Sequence, residues 1–255
     1  MEIIDTHTHL YLDHFKNDID EVITKSIENN IQKFIMPSID SSHLKSMYDL
    51  KSRYPKNIFL MAGLHPVYVK ENYKCELEKV VNSLNDTDFV AVGEIGIDLF
   101  RDKTYLKQQL DAFEFQIELA ISNKLPIVIH CREGFDEIFE ILERFKSKKM
   151  TGIFHCFTGN LDQAKKAIHM GFKLGIGGVV TFKNGGLDKI ISQIDIQNIV
   201  LETDSPYLAP TPFRGKRNES FYITYILKKI SEIYNISEKK VAEITTKNSK
   251  ELFKI

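Results

Sequence analysis

The chain is predicted to fold as a single (β/α)8 barrel of the TIM type that occupies residues 1–255 as one domain. Three observations predict it. Short apolar runs alternate about eight times with segments of helical spacing, as a barrel of parallel strands requires. No long linker, repeat or low-complexity stretch interrupts the alternation. The length of 255 residues is one that α/β barrels fill without dividing.

The strand expectations fall at residues 3–6, 33–37, 58–63, 89–93, 127–129, 152–154, 172–176 and 199–202, each an apolar run closed by polar, Gly or Pro punctuation. Between them, Leu106, Leu110, Phe113, Ile117 and Ala120 recur at steps of three or four, so residues 106–120 present one apolar face of a helix. Ile138, Ile141, Leu142 and Phe145 predict another over 138–145. After the last strand, residues 221–234 and 237–253 read as two closing helices, the second capped by Ser237.

Composition excludes several classes. With 43% hydrophobic and 27% charged residues of both signs, the chain is neither disordered nor membranous, and a net charge of -1 argues against a protein that coats polyanions. Cys75, Cys131 and Cys156 are too few and too scattered for a disulfide framework or a zinc knuckle, which fits a reducing compartment. No apolar stretch reaches the roughly 18 residues of a membrane span, and the first motif at residue 5 leaves no room for a cleavable signal. The expected location is the cytoplasm.

The polar residues at the strand ends are informative. His7 and His9 come after the first strand, His65 after the third, Glu94 after the fourth, His130 after the fifth, His155 after the sixth and Asp204 after the eighth. In a barrel these ends open onto one face, so distant residues converge there. Five of the eight histidines with two acids on that face predict a metal site, whereas His14, His43 and His169 fall in helices or loops. In "DTHTHL" residues two apart point the same way, so His7 and His9 present their imidazoles side by side while Thr8 points elsewhere. Cys131 and Cys156 each stand one residue after a candidate ligand and should point away. Imidazole with carboxylate suits several divalent ions. There are more candidates than the three or four protein ligands one zinc takes, and two ions sharing a carboxylate would use them all.

In order and spacing, "DTHTHL", "GLHP", "VGEIGID", "LPIVIHCRE", "HCFTGN", "GIGGVVTFKN" and "ETDSPYLAPTPFRGKRNES" resemble the motifs of the TatD family of metal-dependent deoxyribonucleases, from residue 5 to about residue 220. The resemblance implies a barrel of the metallo-dependent hydrolase superfamily acting on DNA ends or other phosphodiesters. It makes His7, His9 and Asp204 ligands of one ion, His130 and His155 ligands of another, and Glu94 the carboxylate they share. His65 and Glu202 match positions near the site and take supporting catalytic roles. The expected cofactor is two divalent ions, zinc, manganese or magnesium. Thr8, the pair Leu99 and Phe100, and Ser220 depart from the family pattern.

The expected reaction is hydrolysis of a phosphodiester by a water activated between two cations about 3.5 to 4 Å apart. Asp204 is expected to orient or deprotonate that water, with Glu202 facing the same side if the strand persists, or serving only as an outer acceptor for a ligand histidine. Arg132 after the fifth strand and Arg214 after the eighth are expected to bind phosphate, with Lys216 and Arg217 adding to the patch. The expected partner is DNA, with no membrane, for a monomer. An ester or amide hydrolase, such as an aminoacyl-ester deacylase, is the alternative on the same site. A noncatalytic barrel with a vestigial metal site would need a missing ligand.

Overall fold

The computed structural model describes residues 1–86, 89–101 and 103–255. The strands are β1 (Ile3–Asp5), β2 (Ile31–Pro37), β3 (Ile58–Ala62), β4 (Phe89–Asp98), β5 (Ile127–Arg132), β6 (Gly152–Phe154), β7 (Phe172–Ile176) and β8 (Ile199–Leu201). The helices are α1 (Ile19–Glu28), α2 (Leu44–Arg53), α3 (Tyr73–Asp86), α4 (Leu106–Asn123), α5 (Phe135–Arg144), α6 (Leu161–His169), α7 (Leu187–Ile191), α8 (Ile223–Tyr234) and α9 (Glu238–Phe253). The strands form one parallel sheet in sequential order, the topology of a (β/α)8 barrel.

Sparse polar contacts close the ring between β1 and β8. Thr6 donates its N–H to the Leu201 carbonyl at 3.1 Å, and buried Asp5 accepts the Thr203 N–H at 3.0 Å and hydroxyl at 2.6 Å. Ile4, Ile35, Met61, Ala91, Val128, Ile153 and Val200 form one apolar cluster, which Leu252 and Phe253 at the end of α9 extend. β7 offers Gly175 instead, and a Cβ there would meet the Glu202 carboxylate at 2.2 Å, so the missing side chain makes room for an acid. A second, larger core lies beneath the helices; α5, for example, buries Ile138, Phe139, Ile141 and Leu142. Ser237 caps α9 by accepting the Lys240 N–H at 3.2 Å.

β4 runs five residues beyond the expected end at residue 93, because β5 is also longer and pairs with it as far as Asp98 and Arg132. Glu94 therefore lies within a strand rather than after one.

Arg217, expected in a phosphate patch, is used elsewhere. Its guanidinium bonds both Asp18 oxygens at 2.9 and 2.6 Å, Glu219 at 3.0 Å and the His14 carbonyl at 2.7 Å, tying the loop after β8 to that after β1. Arg217→Ala should lower Tm by about 2–4 °C, corresponding to about 1 kcal/mol for a partly exposed pair. Arg217 holds the Asp18 carboxyl below its ordinary value of 3.8. That contribution is present above the ordinary value and is lost as pH falls through the lowered one. Melting curves of wild type and variant should differ most at neutral pH and converge in strong acid. Among the described residues, no helix is long and apolar enough to cross a membrane.

Candidate metal centre

β1 delivers His7 and His9 just beyond its end, and Thr8 between them turns away to meet Ser205 Oγ at 2.6 Å and Ser220 Oγ at 3.3 Å. Two of the positions that depart from the family pattern, Thr8 and Ser220, thus touch each other. They form a small hydroxyl network behind the histidines and leave the donors untouched.

The donors fall into two groups around one carboxylate. In the first, His7 Nε2 lies 3.1 Å from Glu94 Oε2 and 3.3 Å from His9 Nε2, while Asp204 Oδ1 is 3.4 Å from His9 Nε2 and 3.9 Å from His7 Nε2. Four ligands at zinc's bond lengths of 2.0–2.1 Å stand about 3.3 Å from one another in a tetrahedron, so this spacing suits a divalent ion. In the second, Glu94 Oε1 lies 2.8 Å from His130 Nδ1, 2.9 Å from His155 Nε2 and 3.3 Å from His65 Nε2. Glu94 faces both groups with a different oxygen toward each, and the groups adjoin, since the His7 and His155 rings stack at 3.8 Å and His7, His155 and Asp204 also bring donor atoms within 4.8 Å of one another.

Outer hydrogen bonds decide which ring nitrogen carries a proton. The Tyr11 hydroxyl donates to the Pro37 carbonyl at 2.7 Å, so its oxygen accepts from His9 Nδ1 at 2.9 Å and the lone pair of His9 Nε2 faces the site. Asp98 Oδ2, 3.0 Å from His130 Nε2, does the same for His130, whose Nδ1 is then free to ligate. Glu202 Oε1 stands 3.3 Å from His155 Nδ1 without making a hydrogen bond to it, while Nε2 faces Glu94 at 2.9 Å. His65 is the opposite case. Its Nδ1 accepts the Val67 N–H at 3.1 Å, so the neutral ring carries its proton on Nε2, which can donate but not ligate. This chemistry makes His65 a hydrogen-bond donor beside the second group.

The charges support the same arrangement. Burial opposes ionisation of Glu94, yet His155, His65 and His7 hold its carboxyl well below the usual range. Burial disfavours a charged His155, but Glu94 and Glu202 raise it well above the usual histidine value. A metal ion held there would have to displace a proton from His155. Burial pushes His65 down to about 4, so it is neutral at pH 7. Asp98, despite partial burial, is held at about 2 by His130 and the Arg101 N–H.

β8 ends at Leu201, yet Glu202 keeps the inward side of Val200, where Gly175 leaves room for its carboxylate. Its side chain is fully buried behind His155 and accepts the Cys156 N–H at 2.6 Å, which is the geometry of an outer acceptor, one of the two roles expected of it. Sequence patterning missed Asp98, although residues two and four beyond Glu94 in an extended strand share its face. Arg132 stacks on the Phe100 ring at 4.8 Å at the same end of the barrel. Arg214 stacks on Phe182 at 4.2 Å, and no described contact joins it to the donors. Cys131 packs against the outer core, where burial pushes its thiol up to about 12, and no cysteine enters the donor clusters of the described residues.

The family model described as TatD related DNase matches residues 4–254. The chain belongs to this TatD family. The TatD chain is 34% identical over 254 residues, 99% of each sequence, to the uncharacterized metal-dependent hydrolase YabD of Bacillus subtilis. Among solved structures it is similar to YjjV, a TatD homolog from Escherichia coli K12, with a TM-score of 0.93 and 26% identity, covering 99% of this chain and 98% of that one. A TatD family hydrolase from Entamoeba histolytica shares the fold, with a TM-score of 0.85 and 23% identity over 99% of this chain and 98% of that one.

Proposed function

We propose that this TatD-family protein is a divalent-metal-dependent hydrolase of phosphodiester bonds, a deoxyribonuclease that uses two ions sharing Glu94. The observation that carries the reading is the divided carboxylate: Oε2 faces His7 at 3.1 Å and Oε1 faces His155 at 2.9 Å, so each oxygen meets different donors. His7, His9, Asp204 and Glu94 would hold one ion, and His130, His155 and Glu94 the other. Divalent ions there would polarise a phosphodiester and supply a nucleophile near neutral pH.

The chain's own residues account for the remaining requirements. Asp204 has the most open acid side chain of the site, 13% exposed against 3% for Glu94 and none for Glu202, so it is the acid a substrate or water can reach. We assign it the proton acceptor's role. His65 Nε2–H donates toward charge that develops on the phosphate. Asp98 holds the His130 ring through its hydrogen bond to Nε2, and the Glu202 carboxylate lies behind His155. Arg132 supplies a cation at the rim, matching the charge of the substrate.

The test uses end-labelled single-stranded and duplex DNA incubated with zinc, manganese or magnesium, in parallel with an aminoacyl ester. Metal-dependent cleavage of DNA is expected, nearly abolished in a folded His155→Ala variant. Hydrolysis of the ester without cleavage of DNA under any of these metals would replace the nuclease reading with the deacylase one.

A further inference from the structure

Two buried amides on α4 reach the backbone beside the second donor group. The buried face of this helix is apolar at Ala112, Phe113, Ile117 and Ala120, but it also carries Gln109 and Gln116, 3% and 1% exposed. The two glutamines stand about two turns apart on one side of the helix. Each grips both backbone groups of a single residue. Gln109 Oε1 accepts the Asp98 N–H at 2.9 Å while its Nε2 donates to the Asp98 carbonyl at 3.3 Å. Gln116 does the same for Leu64, at 2.7 and 3.3 Å.

The gripped residues lie where the sheet has stopped supplying partners. β3 pairs with β4 only as far as Ala62 and Val92, so it has left that edge of β4 well before Asp98. Successive residues of a strand turn their N–H and C=O to opposite edges, and the Leu99 N–H bonds the Arg132 carbonyl on β5 at 2.9 Å. The backbone groups of Asp98 therefore face the edge that β3 has left, and the Gln109 amide, with one acceptor and its own N–H donors, takes the place of a strand. Leu64, just beyond the end of β3, is held in the same way.

Both clasps end on residues that touch the second group. Asp98 Oδ1 accepts the N–H groups of Phe100 and Arg101 at 3.0 and 2.7 Å, which leaves Oδ2 to meet His130 Nε2 at 3.0 Å. Leu64 precedes His65, whose ring lies 4.4 Å from that of His130 and whose Nε2 lies 3.3 Å from Glu94 Oε1. A buried amide has to be paired in any protein, so pairing by itself argues only for stability. Asn248 is such a case, 2% exposed and donating to the Ile196 and Ile199 carbonyls at 3.2 and 2.8 Å, at the end of the barrel away from the donors.

We infer that Gln109 and Gln116 are positioning residues, through which α4 holds the Asp98–His130 pair and His65 in the geometry that binds the second ion. The inference rests on the two-ion reading and names what sets the affinity of one of the two ions. Without the Gln109 amide the Asp98 backbone regains freedom, and the His130 ring has to be ordered when the ion binds. His7, His9 and Asp204 come from the segments after β1 and β8, so the first ion does not depend on α4.

The test measures the stepwise zinc affinities of the metal-free full chain by competition with a chromophoric chelator, with His9→Ala and His130→Ala assigning the steps to the first and second groups. Gln109→Met and Gln116→Met keep the length of the side chain and remove the amide. Each should weaken the second ion about tenfold, the low end of what loss of an outer partner costs, and leave the first at its wild-type affinity. Asn248→Leu should lower Tm by about 2–4 °C and change neither affinity, as befits an amide that only supports the fold. If Gln109→Met does not fold, Gln109→Asn, whose amide is one methylene too short for the clasp, makes the same measurement. Folded glutamine variants that bind both ions as the wild type does, or that weaken both ions alike, overturn the inference and leave the two-ion reading standing. A wild type that takes up a single zinc ion overturns both.

Discussion

Glu94→Gln should remove metal from both donor groups together and reduce hydrolysis by more than about 10²-fold, beyond the 10- to 100-fold that loss of an outer partner costs. Glutamine keeps one acceptor oxygen and places an NH2 where the other oxygen stood. One group of donors then meets a donor in place of an anion, and both lose the shared negative charge. The stoichiometry is read by elemental analysis after dialysis against zinc. Thermal melting gives an independent readout, since an ion at 100 times its Kd stabilises the wild type by about 2.7 kcal/mol, whereas the variant should show almost no rise. A Glu94→Gln protein that retains the wild-type metal content would remove Glu94 from its shared position.

Gly96→Ala should be the most destabilising small substitution in the barrel, costing about 3–5 kcal/mol through combined overpacking and backbone strain. Gly96 has φ +143°, a conformation that residues with a side chain rarely adopt, and a Cβ there would come within 2.0 Å of the His130 carbonyl oxygen. Gly96 and His130 are paired in register, midway between Glu94 and Asp98. Alanine must therefore push β5 away from β4 at the point where both acids grip His130. A fall in Tm of about 10 °C is expected, together with weaker metal binding. Gly215→Ala serves as the control, because φ there is +81° but nothing lies within 4 Å of its Cβ, so only the conformational penalty of about 1 kcal/mol applies. Equal losses in the two variants would show that contact with His130 is not the cause.

Much of the architecture was legible because a barrel writes itself as repetition. Buried parallel strands need apolar runs, amphipathic helices need steps of three and four, and each strand end points to the same face. The expected strand at residues 172–176 coincides with β7, and Ser237 caps α9 as its position predicted. β4 was read too short because strand length depends on partners. Asp98 stays in the sheet only because Arg132 on β5 pairs with it. Glu202 keeps the side that alternation from Val200 gives it although β8 stops at Leu201, because Gly175 leaves room there for its carboxylate.

Arg217 shows the limit of reading charge from composition. In the sequence it sits among Arg214 and Lys216 and looks like part of a basic patch. In the fold its guanidinium is committed to Asp18, nearly two hundred positions earlier in the chain.

The sequence by itself determined the fold class and the converging histidines with Glu94, Glu202 and Asp204, though not Asp98, because periodicity and strand-end position are local properties that survive in one dimension. Tertiary structure alone decided how those residues divide. It set which oxygen of Glu94 faces which donors, and which nitrogen of His9, His65 and His130 keeps its proton. It also separated Asp204, which opens to solvent, from Glu202, which is sealed behind His155. These are matters of distance and hydrogen bonding between groups far apart in the chain, and they arise only once the barrel has closed.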